Sequence, residues 1–238
     1  MIQPRLPINW PRPAEFPPLG ANQVHVWGVP LDGGDPPEDS LSEAELARAR
    51  DFALDRPRRS FATTRVALRS LLGRYLELPP REVPIAFGPN GKPQLSAGDL
   101  HFNLTHSGDL ALIAITSRGP VGVDVELLRP VTSALALAER NFHPAELAAI
   151  RTASETDRSS LFLRCWTRKE AVIKALGVGI GYPLNTFDVL DGDNLELKST
   201  AGDGTRCCLC ELAPCSGYIA AGATVSARME YFGFTYSP

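Results

Sequence analysis

Two short segments constrain most of what this chain can become. One is Val121-Gly122-Val123-Asp124-Val125-Glu126; the other is Cys165-Trp166-Thr167-Arg168-Lys169-Glu170-Ala171-Val172-Ile173-Lys174-Ala175-Leu176-Gly177. In the first, a strand sends alternate side chains to opposite faces, so Asp124 and Glu126 share one face and the valines the other. The second is a helical pattern that ends on glycine, the residue best suited to a helix stop. Glu170 and Lys174 lie four apart and are therefore neighbours on one helix face. Three carboxylates and a lysine thus stand in segments that otherwise read as packed interior. Paired carboxylates among apolar residues are costly unless a cation neutralises them. Such oxygen ligands suit a hard divalent ion, and magnesium needs only a few protein oxygens plus substrate phosphates. Each signal is weak alone: an exposed edge strand alternates in the same way, and a surface i,i+4 ion pair contributes only a few tenths of a kcal/mol.

The remaining chain mixes helices with short strands. Six prolines in the first 20 residues make an extended lead-in to about residue 22. Val24–Val29 reads as a strand. Ser42 with Glu45 forms a capping box that opens a helix to about Phe52. A second helix is expected from about Ser60 to Leu76, with Phe61, Leu68, Leu71, Leu72 and Tyr75 as its apolar stripe and Pro79-Pro80 as its stop. Gly88–Pro93 is turn chemistry. His101–His106 and Leu110–Ile115 form a hairpin, followed by the strand at Val121–Glu126. Helices are expected at 132–141 and 144–153, then a long one from Asp157, as cap, to Leu176. Phe187–Leu190, Leu195–Ser199, Arg206–Leu212 and Tyr218–Thr224 are strand candidates. The class is α+β, in two lobes, 1–118 and 119–238. The aromatic tail Ser226–Pro238 has no assigned element and would have to pack back on the body or stay exposed.

Composition excludes some classes. The 238 residues carry a net charge of −3, so no global field favours nucleic acid or membrane. No apolar run reaches the roughly 18 residues of a membrane span, and the N-terminus lacks signal-peptide order. A cytoplasmic protein is expected. Cys207-Cys208-x-Cys210-x4-Cys215 invites a zinc reading, but it lacks paired C-x2-C knuckles and a nearby histidine; alternation at 208–212 fits a half-buried strand of reduced cysteines better. From Arg48 to Leu76 stand eight arginines, with Asp51 and Asp55 as the acids. This is either a solvated helix face or a site for a polyanion, since guanidinium forks suit phosphate.

Taken together, the segments resemble the Sfp-type 4'-phosphopantetheinyl transferases. The family's G-[IV]-D-[IV]-E strand stands as Gly122–Glu126, and its W-[ST]-x-K-E-[AS]-x-x-K helix as Trp166–Lys174. Its F-N-[IL]-[ST]-H-[ST] motif stands as Phe102–Ser107, its G-K-P turn as Gly91-Lys92-Pro93, and its R-x-L-L-G helix as Arg69–Gly73. The motifs keep the family order and cover about 56 to 190. The resemblance implies two similar lobes related by a pseudo-twofold, with the site in the cleft between them, in a monomer. It implies coenzyme A as donor, an apo acyl or peptidyl carrier protein as acceptor, and no nucleic acid or membrane partner.

By the same resemblance, Asp124, Glu126 and Glu170 hold Mg2+, and Glu170 is the general base for the carrier serine. Lys174 stabilises or protonates the leaving phosphate. Lys92, Thr105 and His106 hold the nucleotide, His106 near the 3'-phosphate, with Arg69 and Ser70 a further phosphate-side pair. Some members grip the 3'-phosphate with lysines ahead of the second helix. Pro57 stands where one such lysine sits, which leaves Arg56, Arg58 or Arg59 as substitutes, with Arg58 taken first; Arg65, one turn before Arg69, is a further candidate. Two other readings compete: a magnesium-dependent phosphohydrolase, which the carboxylates alone permit, and a coenzyme A or carrier-protein binding module without activity.

Overall fold

A computed structural model describes residues 6–88, 90–179, 181–197, 204–225 and 227–237. Its architecture is α+β, as expected. Two four-stranded sheets carry the chain. The first has the order β10-β1-β5-β4 and the second β6-β9-β8-β7. The strands are β1 (Gln23–Pro30), β4 (His101–Ser107), β5 (Leu110–Thr116), β6 (Val121–Leu127), β7 (Asn194–Leu197), β8 (Thr205–Leu212), β9 (Tyr218–Val225) and β10 (Glu230–Thr235). A two-stranded ribbon, β2 (Ile85–Phe87) and β3 (Pro93–Leu95), carries the G-K-P turn. The helices are α1 (Glu43–Arg50), α2 (Asp55–Leu76), α3 (Ala134–Asn141), α4 (Pro144–Thr152) and α5 (Glu155–Leu176).

Three apolar clusters follow from the period-two alternation. Trp27 and Val29 of β1 pack with Leu68, Leu71 and Leu72 of α2. Val24 and Val26, on the other face of the same strand, pack with Val121, Val123 and Val125 of β6, so this cluster joins the two sheets. Cys165, Val172 and Ile173 of α5 pack on Leu209, Ala221 and Ala223 of the second sheet. Among the described residues no helix is long and apolar enough to cross a membrane.

Several expectations need correction at their edges. The second helix begins at Asp55 rather than Ser60 and accommodates Pro57 in its first turn, where a backbone N–H has no intrahelical partner to lose. It ends on Glu77, which takes the left-handed conformation at φ 55°. The long helix begins at Glu155 because Ser154, not Asp157, is its cap: the Ser154 hydroxyl accepts the Asp157 N–H at 3.1 Å. Phe187–Leu190 is not a strand. Phe187 and Val189 are buried, but their backbone groups are satisfied by side chains: Lys169 donates to the Phe187 carbonyl and the Val189 N–H donates to Glu146. Leu195–Ser199 is a strand at Asn194–Leu197, and 198–199 lie outside the described residues. Cys207, Cys208 and Cys210 lie on β8 as expected, and all five thiols are free.

The aromatic tail becomes β10, which pairs in parallel with β1. The segment 119–238 therefore contributes one strand to the first sheet. Trp10 of the lead-in lies against Gly233 so closely that a Cβ there would meet its ring at 2.3 Å.

Candidate active site

Strands β4 and β6 are edges of different sheets, yet they run side by side. Side chains stitch them together. Asn103 Oδ1 accepts the Val123 N–H at 2.9 Å, and Ser107 Oγ accepts the Leu127 N–H at 3.1 Å. Thr105 Oγ1 donates to Asp124 Oδ1 at 2.9 Å, and Ser107 Oγ donates to Glu126 Oε2 at 3.0 Å. Three alternate residues of one strand thus hold the polar face of the other. Sequence reasoning gave Asn103 and Ser107 no role, although the spacing 103, 105, 107 was the available signal.

Helix α5 closes on the other side. Gly122 makes this approach feasible, since a Cβ there would lie 2.0 Å from the Ala171 carbonyl oxygen. At that separation Lys174 Nζ reaches Asp124 Oδ1 at 2.6 Å and Thr105 Oγ1 at 3.2 Å. Glu170 is half-buried one turn earlier. It lines a cavity of about 280 Å³ with Lys174, Asn103, Leu104 and the Asn90–Pro93 turn.

The carboxylates share one field. Burial pushes Asp124 above the ordinary carboxylate range, against the opposing pull of Lys174 and the Thr105 hydrogen bond. Burial also raises Glu126 and Glu170. In Glu170 the Lys174 charge opposes that rise, while Asp124 and Glu126 add to it. His106 is held below its usual value by desolvation and by the Lys174 charge.

Asp124 Oδ2 is buried without a hydrogen-bond partner. That orphaned oxygen, on a strand that also carries Glu126, fits a hard cation. Among the described residues, however, no three His, Cys, Asp or Glu side chains already stand in ligating proximity.

The first-lobe candidates are dispersed. Arg58 is engaged by acids: Asp35 at 2.9 Å, Glu38 at 3.6 Å and Asp55 at 3.8 Å. Arg65 lies between the rings of Phe61 and Phe87, at 5.5 and 5.8 Å, with Nη1 buried and unpartnered. Arg69 is committed internally. It pairs with Glu45 and donates to the carbonyls of Pro80, Arg81 and Val83. Ser70 lies close enough to Tyr236 to act on its hydroxyl. Arg56 pairs with Asp109 at 2.9 Å, and with Arg59 it lines a polar cavity of about 320 Å³. Lys92 has its ammonium on backbone carbonyls, as described below.

Sequence reasoning also passed over Lys169 and Glu146. Both are wholly buried, 2.9 Å apart, and Lys169 also donates to the carbonyls of Leu184 and Phe187 at 2.7 and 2.6 Å. A lysine beside Glu170 in the motif carried no sign of its buried partner.

A family model described as the 4'-phosphopantetheinyl transferase superfamily matches residues 120–221. The chain is 40% identical over 173 residues to 4'-phosphopantetheinyl transferase HetI of Nostoc, covering 68% of this chain and 72% of that protein. This chain belongs to the 4'-phosphopantetheinyl transferase superfamily. A 4'-phosphopantetheinyl transferase of Bacillus subtilis is 30% identical over 199 residues, 78% of this chain and 84% of that one. The transferase AcpT of Salmonella typhimurium is 40% identical over 150 residues, 63% and 76% of the two chains. The superfamily match takes in β6 and α5, the two elements that bring Asp124, Glu126, Glu170 and Lys174 together.

Proposed function

We propose that this chain transfers 4'-phosphopantetheine from coenzyme A to a serine hydroxyl of an apo acyl or peptidyl carrier protein. The serine Oγ forms a bond to the β-phosphorus, the bond from that phosphorus to the bridging oxygen breaks, and adenosine 3',5'-bisphosphate leaves. The observation that carries the reading is the meeting of Asp124 with Lys174 across β6 and α5, with Glu126 and Glu170 in the same field.

Asp124, Glu126 and Glu170 are the residues that would hold Mg2+, supported by the orphaned Asp124 Oδ2. When bound, the ion supplies neutralisation of the phosphate charge that builds during transfer. Glu170 takes the serine proton, directly or through a water. Burial raises its affinity for protons in the metal-free protein, and a bound cation would oppose that rise. Lys174 stabilises or protonates the departing phosphate oxygen. Thr105 holds Asp124 and Lys174 in place from β4, and His106, on the opposite face of that strand, is the residue proposed to meet the nucleotide. The arginines at the start of α2 supply further positive charge, Arg56 and Arg59 lining a cavity that also carries Asp32 and Asp109. A division into lobes 1–118 and 119–238, with β10 returning to the first sheet, a monomeric state and a cytoplasmic setting complete the proposal.

The test is the intact mass of several apo carrier proteins after incubation with the protein, coenzyme A and magnesium, with and without chelator. A magnesium-dependent gain of one phosphopantetheine is expected. No gain on any carrier, with coenzyme A still bound, would replace transfer with binding. Phosphate loss from coenzyme A without carrier modification would mean hydrolysis.

A further inference from the structure

Lys92 belongs to the ribbon of the first sheet's side of the molecule, yet its ammonium is spent on the second. Nζ donates to the backbone carbonyl of Lys174 and to that of Val121, the latter at 3.2 Å. Asn90, on the same turn, donates through Nδ2 to the Gly177 carbonyl at 2.9 Å. The last four carbonyls of a helix lack intrahelical N–H partners, and a cation is favoured at that end of the macrodipole. Lys92 and Asn90 together therefore serve as an external cap for the C-terminus of α5. The cap fixes one helix end against the first residue of β6, since a single nitrogen bridges both backbones.

That bridge lies on the residue whose side chain matters most. The carbonyl held by Lys92 is that of Lys174, and the Lys174 ammonium is the group on Asp124. An ammonium has three donors, and two of those on Lys92 are committed. Burial pushes Lys92 down to about 8. Both groups it holds are neutral backbone carbonyls, one on each of the two elements it bridges.

We propose that Lys92 is a positioning residue: with Asn90 it clamps the last turn of α5 to β6 and so sets the Lys174 side chain at Asp124, rather than gripping the nucleotide with its ammonium. The kinetic consequence rests on the transferase reading above, whereas the clamp itself does not. The turn lines two cavities, the one of about 280 Å³ that reaches Glu170 and another of about 450 Å³ beside His101 and Phe102.

The experiment compares wild type, Lys92→Met and Asn90→Ala by amide hydrogen exchange and by steady-state kinetics. Exchange at 173–178 should quicken in both variants, more in Lys92→Met, without any substrate present. In kinetics Lys92→Met should lose roughly ten- to a hundredfold in kcat, as small misplacements near a reacting centre do. The loss should be equal with coenzyme A and dephospho-coenzyme A, and KM should change little. Unchanged exchange at 173–178 would overturn the clamp. A raised KM for coenzyme A with kcat intact, or loss of discrimination between the two donors, would return the ammonium to the nucleotide. If Lys92→Met does not fold, exchange in Asn90→Ala decides alone. A wild type that modifies no carrier would remove the transferase reading and leave the exchange result standing.

Discussion

The Lys174 ammonium stands 2.6 Å from Asp124 Oδ1, across the contact of α5 with β6. This pair makes the two motif segments one site. It depends on the strand and the helix approaching more closely than two ordinary surfaces do.

Gly122 sets that approach. In Gly122→Ala the new Cβ would collide with the Ala171 carbonyl, and a backbone oxygen cannot swing aside as a side chain can. Overpacking of this kind costs about 1–3 kcal/mol. Urea denaturation should show that loss, accompanied by a fall in kcat. A variant of wild-type stability and rate would mean that α5 does not rely on this contact.

Glu170→Gln should reduce transfer by roughly 10²- to 10⁴-fold, the usual worth of a general base, with the fold retained. The pH profile gives an independent check. Burial and the neighbouring carboxylates raise the Glu170 pKa, and the base must be ionised to act. The wild-type rate should therefore rise with pH as Glu170 ionises, at a lower pH with the cation bound than in the metal-free protein because the cation favours the carboxylate, and the variant should lack this acidic limb. The same limb in both proteins would assign it to another group.

His106 should be neutral in the free protein at pH 7, because desolvation and the Lys174 charge hold its pKa below the usual value. A phosphate brought near it would favour the protonated form and raise that pKa. Coenzyme A binding should then take up protons and tighten as pH falls through the bound-state value. NMR titration of the imidazole with and without coenzyme A reads this directly. An unmoved midpoint would place the phosphates elsewhere.

The buried Lys169–Glu146 pair predicts a non-additive cycle. Removing either partner strands the other charge in the interior, which costs about 3–5 kcal/mol. Lys169→Met and Glu146→Gln should each destabilise strongly, and the double variant should lose less than their sum. Additive losses in chemical denaturation would mean that the two groups are not coupled.

Much of this protein was legible from local pattern. Period-two alternation gave the inner strands, and helical spacing with Gly177 gave the end of α5. The acids of β6 and α5 could be nominated because their neighbours are apolar. What failed failed for tertiary reasons. The run Phe187–Leu190 is apolar enough for a strand, but Lys169 and Glu146 satisfy its backbone from elsewhere. Arg69 fits a phosphate motif, yet its guanidinium is held by Glu45 and three carbonyls that only folding brings near.

The amino-acid order by itself determined the residue types of the site and the faces they share, because those follow from the periods of strand and helix. It determined the family as well, through motifs kept in order. Only the tertiary structure decided which groups are free. Arg58, Arg69 and Lys92 are all cationic and all near motif positions, but each is committed by partners distant in sequence. The tail behaves likewise: Phe232 and Phe234 alternate as any strand would, but that their strand lies parallel beside β1, on the edge opposite β5, is set by the sheet and not by local pattern.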